Sequence, residues 1–233
     1  MGELEPRLSS SVEDYVKAIY EIQQHNSVVS TNDLAAQLAI SPAAASKMMK
    51  HLASLNLVSR EPYEGVRLTP SGEKVALEIL RHRRLLELYL HKALGYEWDE
   101  LSAEVERLEH VLSEEMEERI AQFLGDPLTD PHGDPIPTRD GVIAPLRGEP
   151  LSNAEAGDTL IILRVSDSDT EALRYLRKLE MRLGVTLEVV EKQPFNGPLT
   201  LRIGERLQSI GRELAGRVFV EPCSTKLETE VLV

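Results

Sequence analysis

The sequence predicts a mainly α-helical protein with a small β domain at its C-terminal end, and three observations carry that reading. Two short helical segments joined by a tight turn precede a pair of short strands near the N-terminus. Helical periodicity then dominates from Ser71 to Ile120. Beyond Gly157, apolar runs of strand length alternate with turn residues. A chain of 233 residues has room for two domains and a smaller appendix. The expected division is a winged helix-turn-helix over 1–75, a helical domain over 76–146, a linker over 147–156 and a β-barrel domain over 157–233.

Taken in order, Val12, Tyr15, Val16, Ile19 and Ile22 follow the helical period, with Ser10 or Ser11 as the expected N-cap and Glu13 and Asp14 in the first turn. Ser30-Thr31-Asn32-Asp33 starts a short helix ending near Ala39. Ser41-Pro42 supplies a cap and a first-turn proline for another that runs to about Leu55. Residues 57–60 and 66–69 read as two strands about the turn Tyr63-Glu64-Gly65, which makes a wing. A long helix from Ser71 to about Leu90 is broken by Gly95. Leu101, Val105, Leu108, Leu112, Met116 and Ile120 then define at least one more amphipathic stretch. Prolines and glycines between Gly125 and Pro150 rule out a regular helix or central strand there and give an ordered loop followed by a linker. Runs at 160–165, 187–190, 199–203 and 218–220, with a helix around Ala172 to Met181, read as a small barrel with a helical insertion.

Composition narrows the function classes. No apolar run approaches the ~18 residues that a membrane helix requires, and the first six residues lack the features of a secretory signal, so a cytoplasmic, soluble chain is expected. The single cysteine, Cys223, excludes an internal disulfide framework or a cysteine-rich metal site. The formal net charge of −13 argues against nucleic-acid binding, because phosphate contacts need Lys or Arg. Its distribution softens the objection. Eleven carboxylates face three basic residues between Glu87 and Arg119, whereas residues 1–75 carry nine carboxylates against seven Lys or Arg. The acidic middle has the composition of a cation site or of a solvated helix face.

In a helix-turn-helix the second helix enters the major groove. Here its early positions Ser41, Pro42, Ala43, Ala44 and Ser46 are small, which allows close backbone approach and contact with thymine methyls. Lys47, Lys50, Arg60 and Arg67 are candidate phosphate contacts on that helix and the wing. Glu106, Glu109 and His110, at i, i+3 and i+4, fall on one helical face within reach of a single ion. Two carboxylates and an imidazole without sulfur suit a hard or borderline divalent cation. Asp14 is a candidate further ligand from the first helix, or a carboxylate placed for the helix dipole.

Five stretches carry a resemblance to a known family: residues 11–20 (SVEDYVKAIY), 68–72 (LTPSG), 84–90 (RLLELYL), 106–113 (ERLEHVLS) and 132–137 (HGDPIP). In this order and spacing the chain resembles the diphtheria toxin repressor and manganese transport regulator family of metal-dependent repressors. The resemblance implies a winged-helix domain, a helical dimerisation and metal-binding domain, and a C-terminal Src-homology-3-like barrel. It implies a principal metal site at Asp14, Glu106, Glu109 and His110, with the Glu106 carbonyl as a further ligand. Iron-sensing members have methionine at the position of Asp14 and cysteine at that of Glu106, so the resemblance implies Mn2+ as the cofactor, with Fe2+ the alternative. The family's second site maps to Glu87, but its two histidines fall on Arg83 and Ser102, with His82 displaced by one position. Glu87 and His82 are therefore the secondary metal candidates, the second site being lost or remodelled. Asp167, Asp169 and Glu171 lie in the region from which some members donate further carboxylates.

The expected function is a metal-dependent transcriptional regulator, not an enzyme. It would bind a pseudo-palindromic operator in double-stranded DNA as a homodimer, repress metal-uptake genes, and involve neither a membrane nor a small organic substrate. Two rivals remain at this point: a metal-hydrolase, for which no separate general base is apparent, and a metal-independent winged-helix repressor controlled through its barrel.

Overall fold

The computed structural model describes residues 8–61 and 65–223. They form two compact units. One comprises the chain up to Tyr89 with Ala103–Leu128 and Ile136–Ala144; the other comprises Leu90–Ser102, Thr129–Pro135 and the chain from Pro145.

The first unit begins with α1 (Ser10–Gln23), α2 (Thr31–Gln37) and α3 (Pro42–Ser54). Each start has a local cause. Ser9 accepts from the Val12 amide at 3.4 Å, so the cap of α1 is one residue earlier than Ser10 or Ser11. Helix α2 starts on a capping box in which Ser30 and Asp33 each accept from the other's backbone amide. Ser41 caps α3 through the Ala44 amide, with Pro42 at the first helical position. Buried Val16, Ile19, Leu34, Ala45, Leu52 and Val66 close one core beneath these helices.

The wing strands β1 (Val58–Glu61) and β2 (Gly65–Leu68) pair antiparallel with Val58 opposite Leu68. Tyr63 and Glu64 of the expected turn lie outside the described residues. Val29 and Val66 exchange backbone hydrogen bonds of 2.9 and 3.0 Å, tying the wing to the segment before α2. Gly65 makes that approach possible. Its φ is +144°, and a Cβ there would sit 2.1 Å from the Val29 carbonyl oxygen.

Helix α4 (Pro70–Leu94) ends at Gly95, whose φ is +74°. The expected amphipathic stretch is two helices, α5 (Leu101–Leu108) and α6 (Glu114–Leu124). Ser113 caps α6 by accepting from the Met116 amide, and left-handed Gly125 closes it. Met116, expected on the apolar stripe, is 52% exposed, whereas Glu117 is buried. The break before Ser113 rotates the second helix's buried face away from the register of the first.

In the second unit a six-stranded antiparallel sheet has the order β3-β8-β4-β5-β6-β7. Its strands are β3 (Glu149–Pro150), β4 (Thr159–Val165), β5 (Thr186–Lys192), β6 (Leu199–Ile203), β7 (Arg206–Ile210) and β8 (Val218–Pro222). This is the expected Src-homology-3-like domain, but its ladder is open: among the described residues no pairing joins β3 to β7. Helix α7 (Thr170–Lys178) is the expected insertion, and α8 (Arg212–Ala215) precedes β8. Asp169 caps α7 by accepting from the Glu171 and Ala172 amides, and Arg217 Nη1 binds it at 2.7 Å. Those amide bonds, the first cause, with the Arg217 guanidinium, hold its carboxyl below the usual carboxylate range.

The HGDPIP segment is ordered as expected. Asp130 Oδ1 accepts from the His132 and Asp134 amides at 2.8 and 3.0 Å. Within the second unit the Val165 amide donates to the His132 carbonyl, and Arg164 lies 3.3 Å from Asp134 and over the Phe219 ring. Among the described residues no helix is long and apolar enough to cross a membrane.

Candidate metal centre and DNA interface

The metal centre is assembled from α1 and the turn that follows α5, both in the first unit. Ligand atoms of Asp14, Glu109 and His110 lie within 4.8 Å of one another. The i, i+3, i+4 face expected for Glu106, Glu109 and His110 is not realised in that form. Helix α5 ends at Leu108, and Glu109 and His110 sit in the turn after it. Glu109 becomes fully buried while the Glu106 side chain stays 56% exposed and outside the triplet, its Oε2 3.5 Å from Arg83 Nη1.

Two atoms indicate what the triplet is built for. Asp14 Oδ1 and His110 Nε2 are both buried, lie 2.8 Å apart and have no hydrogen-bond partner beyond each other. The other ring nitrogen, His110 Nδ1, is 2.6 Å from Glu13 Oε2. In the tautomer whose Nδ1 proton goes to that carboxylate, the Nε2 lone pair faces Asp14. Metal-binding imidazoles are oriented in this way by an outer carboxylate. A carboxylate oxygen and a ring nitrogen buried face to face are bridged by a proton or by a cation, and the donor set of carboxylate oxygens and imidazole fits a divalent ion. Glu109 Oε1, 3.6 Å from His110 Nε2, completes the cluster and is also paired with the Lys17 ammonium.

The secondary candidates lie outside that triplet. Glu87, 1% exposed, meets Arg83 Nε at 3.0 Å through its Oε1. His82 is not brought to the Asp14 cluster as a side-chain ligand. Its Nδ1 lies 3.3 Å from the Glu109 carbonyl and its Nε2 lies 2.8 Å from Glu117. Arg81 Nε donates to the other Glu117 oxygen at 2.6 Å, and Arg81 Nη1 to the Pro137 carbonyl. Burial raises the Glu117 pKa, but the adjoining His82 and Arg81 outweigh it and hold the carboxyl below its ordinary value.

On α3, Ser41, Pro42, Ala43, Ala44, Lys47 and Lys50 are exposed along one side while Ala45, Met49 and Leu52 are buried. Ser46 is half-buried. Arg60 is exposed on the wing; Arg67 is half-buried and its Nη2 reaches Ser27 Oγ at 3.3 Å.

Comparison with known proteins agrees with this organisation. Three family models match in succession: the N-terminal DNA binding domain of iron dependent repressors at residues 7–66, their metal binding and dimerisation domain at 69–138, and the FeoA domain at 149–222. A solved manganese-dependent transcriptional repressor in complex with manganese superposes with a TM-score of 0.82 at 36% identity, covering 91% of this chain and 99% of that one. The chain belongs to the diphtheria toxin repressor family of metal-dependent transcriptional repressors. An uncharacterized HTH-type transcriptional regulator of Methanocaldococcus jannaschii is 38% identical over 118 residues, 50% of this chain and 94% of the relative. The diphtheria toxin repressor of Corynebacterium efficiens is 27% identical over 196 residues, 80% and 85% of the two chains. These family members are transcriptional regulators, not enzymes, which removes the hydrolase reading.

Within this repressor family framework, the sequence reading missed Glu13, Lys17 and Glu117. Glu13 and Lys17 carried one legible signal, since i and i+4 on α1 place them on the side of the helix that also bears Asp14. Glu117 carried none, lying in a run of carboxylates otherwise suited to solvent.

Proposed function

We propose that this member of the family is a manganese-responsive repressor of metal-uptake genes that binds a pseudo-palindromic operator as a homodimer. The observation that carries the reading is the buried pair Asp14 Oδ1 and His110 Nε2, 2.8 Å apart with no other hydrogen-bond partner, and Glu13 fixing the imidazole. Asp14, Glu109 and His110 would hold the ion, and Glu106 would join by turning its exposed carboxylate inward. Oxygen and imidazole donors without sulfur favour manganese over softer metals. The bound ion supplies a positive charge that relieves repulsion among these carboxylates. Asp14 belongs to α1 in the DNA-binding domain and Glu109 and His110 to the turn after α5, so their joint engagement fixes α1 against that turn. Ordering α1 in turn fixes the base of α3, and a coupling of ~1–3 kcal/mol suffices for five- to 150-fold switching.

The dimer would use α6. Its Met116 and Phe123, seven residues apart on one face, are 52% and 68% exposed. Two copies of α3 would then meet half-sites spaced by about one helical turn, ~34 Å, or a multiple of it.

The test is binding to DNA upstream of the protein's own gene at fixed salt, with chelator, Mn2+ or Fe2+, for wild type and His110→Ala. Binding that needs Mn2+ and is lost in the variant is the expected result. Preference for Fe2+ over Mn2+ would replace the metal but keep the switch. Equal binding in chelator would return the metal-independent reading.

A further inference from the structure

The end of α1 remote from Asp14 is joined to the wing by a side chain. Strand β2 pairs with β1 along one edge, which leaves the Val66 and Leu68 amides directed to the other. Val66 is answered there by the Val29 carbonyl at 3.0 Å, and Leu68 by Gln23 Oε1, also at 3.0 Å. Gln23 is the last residue of α1 and is half-buried. Its Nε2 donates to the Ser27 carbonyl at 3.4 Å, and Ser27 Oγ accepts from Arg67 Nη2 at 3.3 Å. These bonds close a ring through Gln23, Ser27, Arg67 and the Leu68 amide, and they fix which way the Gln23 amide points.

The ring touches both halves of the proposed switch. Asp14 lies nine residues before Gln23 on the same helix, ~13 Å along its axis. Arg67, held by Ser27, is a candidate phosphate contact on β2. A helix of this length moves as a rod, so a shift of α1 that seats Asp14 against Glu109 and His110 carries the Gln23 amide with it. The Val29 contact ties the wing to the segment before α2, whereas the Gln23 amide ties it to the helix that bears Asp14.

We propose that Gln23 is the positioning residue that carries the state of the metal centre to the wing, by setting where the Arg67 guanidinium stands against DNA phosphates. The inference rests on the metal-responsive reading above, and the experiment separates the two. The quantity measured is the factor by which DNA from upstream of the protein's own gene tightens Mn2+ binding, which equals the factor by which Mn2+ tightens DNA binding. The full chain is titrated at fixed salt, free Mn2+ being followed by its electron paramagnetic resonance signal, with circular dichroism to verify folding. Gln23→Met, close in shape but without the amide, is expected to lower that factor about threefold or more and to leave Mn2+ affinity without DNA unchanged. Arg67→Met is expected to lower it likewise, and the double variant no further, because both changes break one contact. Ser27→Ala cuts the ring from its exposed side, is expected to act in the same direction, and serves where Gln23→Met does not fold.

An unchanged factor in Gln23→Met and Ser27→Ala overturns the proposal and leaves the metal-responsive reading intact. A loss of stability with the factor preserved does the same, since a merely structural hydrogen bond would give that result. Additive losses in the double variant overturn it as well, because the two residues would then act separately. A factor of one in wild type removes both the proposal and the metal-responsive reading.

Discussion

Glu117 shows how a single residue can report on the packing around the metal centre. Its two oxygens face Arg81 and His82, and His82 also touches the Glu109 carbonyl, so the carboxylate braces the backbone of a proposed ligand residue. Glu117→Gln leaves the Arg81 guanidinium without its counter-charge and is expected to lower stability by ~3 kcal/mol in urea unfolding. The pH dependence has a defined sign. The folded carboxyl is held below its ordinary value of 4.5, so the unfolded chain takes up the proton first. Its contribution is complete above that value and disappears as pH falls through the lowered one. Acid unfolding midpoints should therefore differ less between wild type and Glu117→Gln than midpoints at neutral pH. Sequence could not supply this residue, because charge alone does not say which carboxylate of a run faces inward. It did name Asp14, Glu109 and His110, which the structure brings together, along with Glu106, which stays outside.

At the scale of elements, α3 and the wing place a few cations where a duplex would lie. Lys47 and Lys50 are exposed on α3, and Arg60 is exposed on β1. Lys47→Ala and Lys50→Ala are each expected to weaken DNA binding about uniformly across operator sequences. Each should reduce the slope of log K against log salt by ~1, measured by titration at several salt concentrations. A change in base preference instead would mean that the lysine reads an edge and not a phosphate. The helices of this domain were legible because Ser30, Ser41 and Pro42 are local start signals. The division between α5 and α6 was not: the apolar spacing from Leu101 to Ile120 continues through the turn, and only Ser113 marks a restart. That turn decides the geometry of the site, since it buries Glu109 and leaves Glu106 outside. Strand β7 was missed for a related reason, as Arg206 and exposed Leu207 break the alternation expected of a strand.

For the whole molecule, the proposed assembly predicts that Phe123→Glu converts a dimer to a monomer in sedimentation equilibrium and abolishes tight operator binding. Retention of the dimer would place the interface off α6. Tyr89 meets Phe123 edge-to-face with ring centroids 5.7 Å apart, so Phe123→Leu, which keeps an apolar side chain, serves as the control. The architecture was legible from composition shifts along the chain: alternating short elements, an acidic helical middle, a proline-rich loop and a β segment. Sheet closure was not, because nothing in apolar spacing distinguishes an open ladder from a ring. The wing's contact with Val29 has a consequence for variation in the gene. Every amino acid other than glycine carries a Cβ, so every missense change at codon 65 drives an atom into the Val29 carbonyl. In a library of all single substitutions selected for repression, position 65 should accept synonymous codons alone.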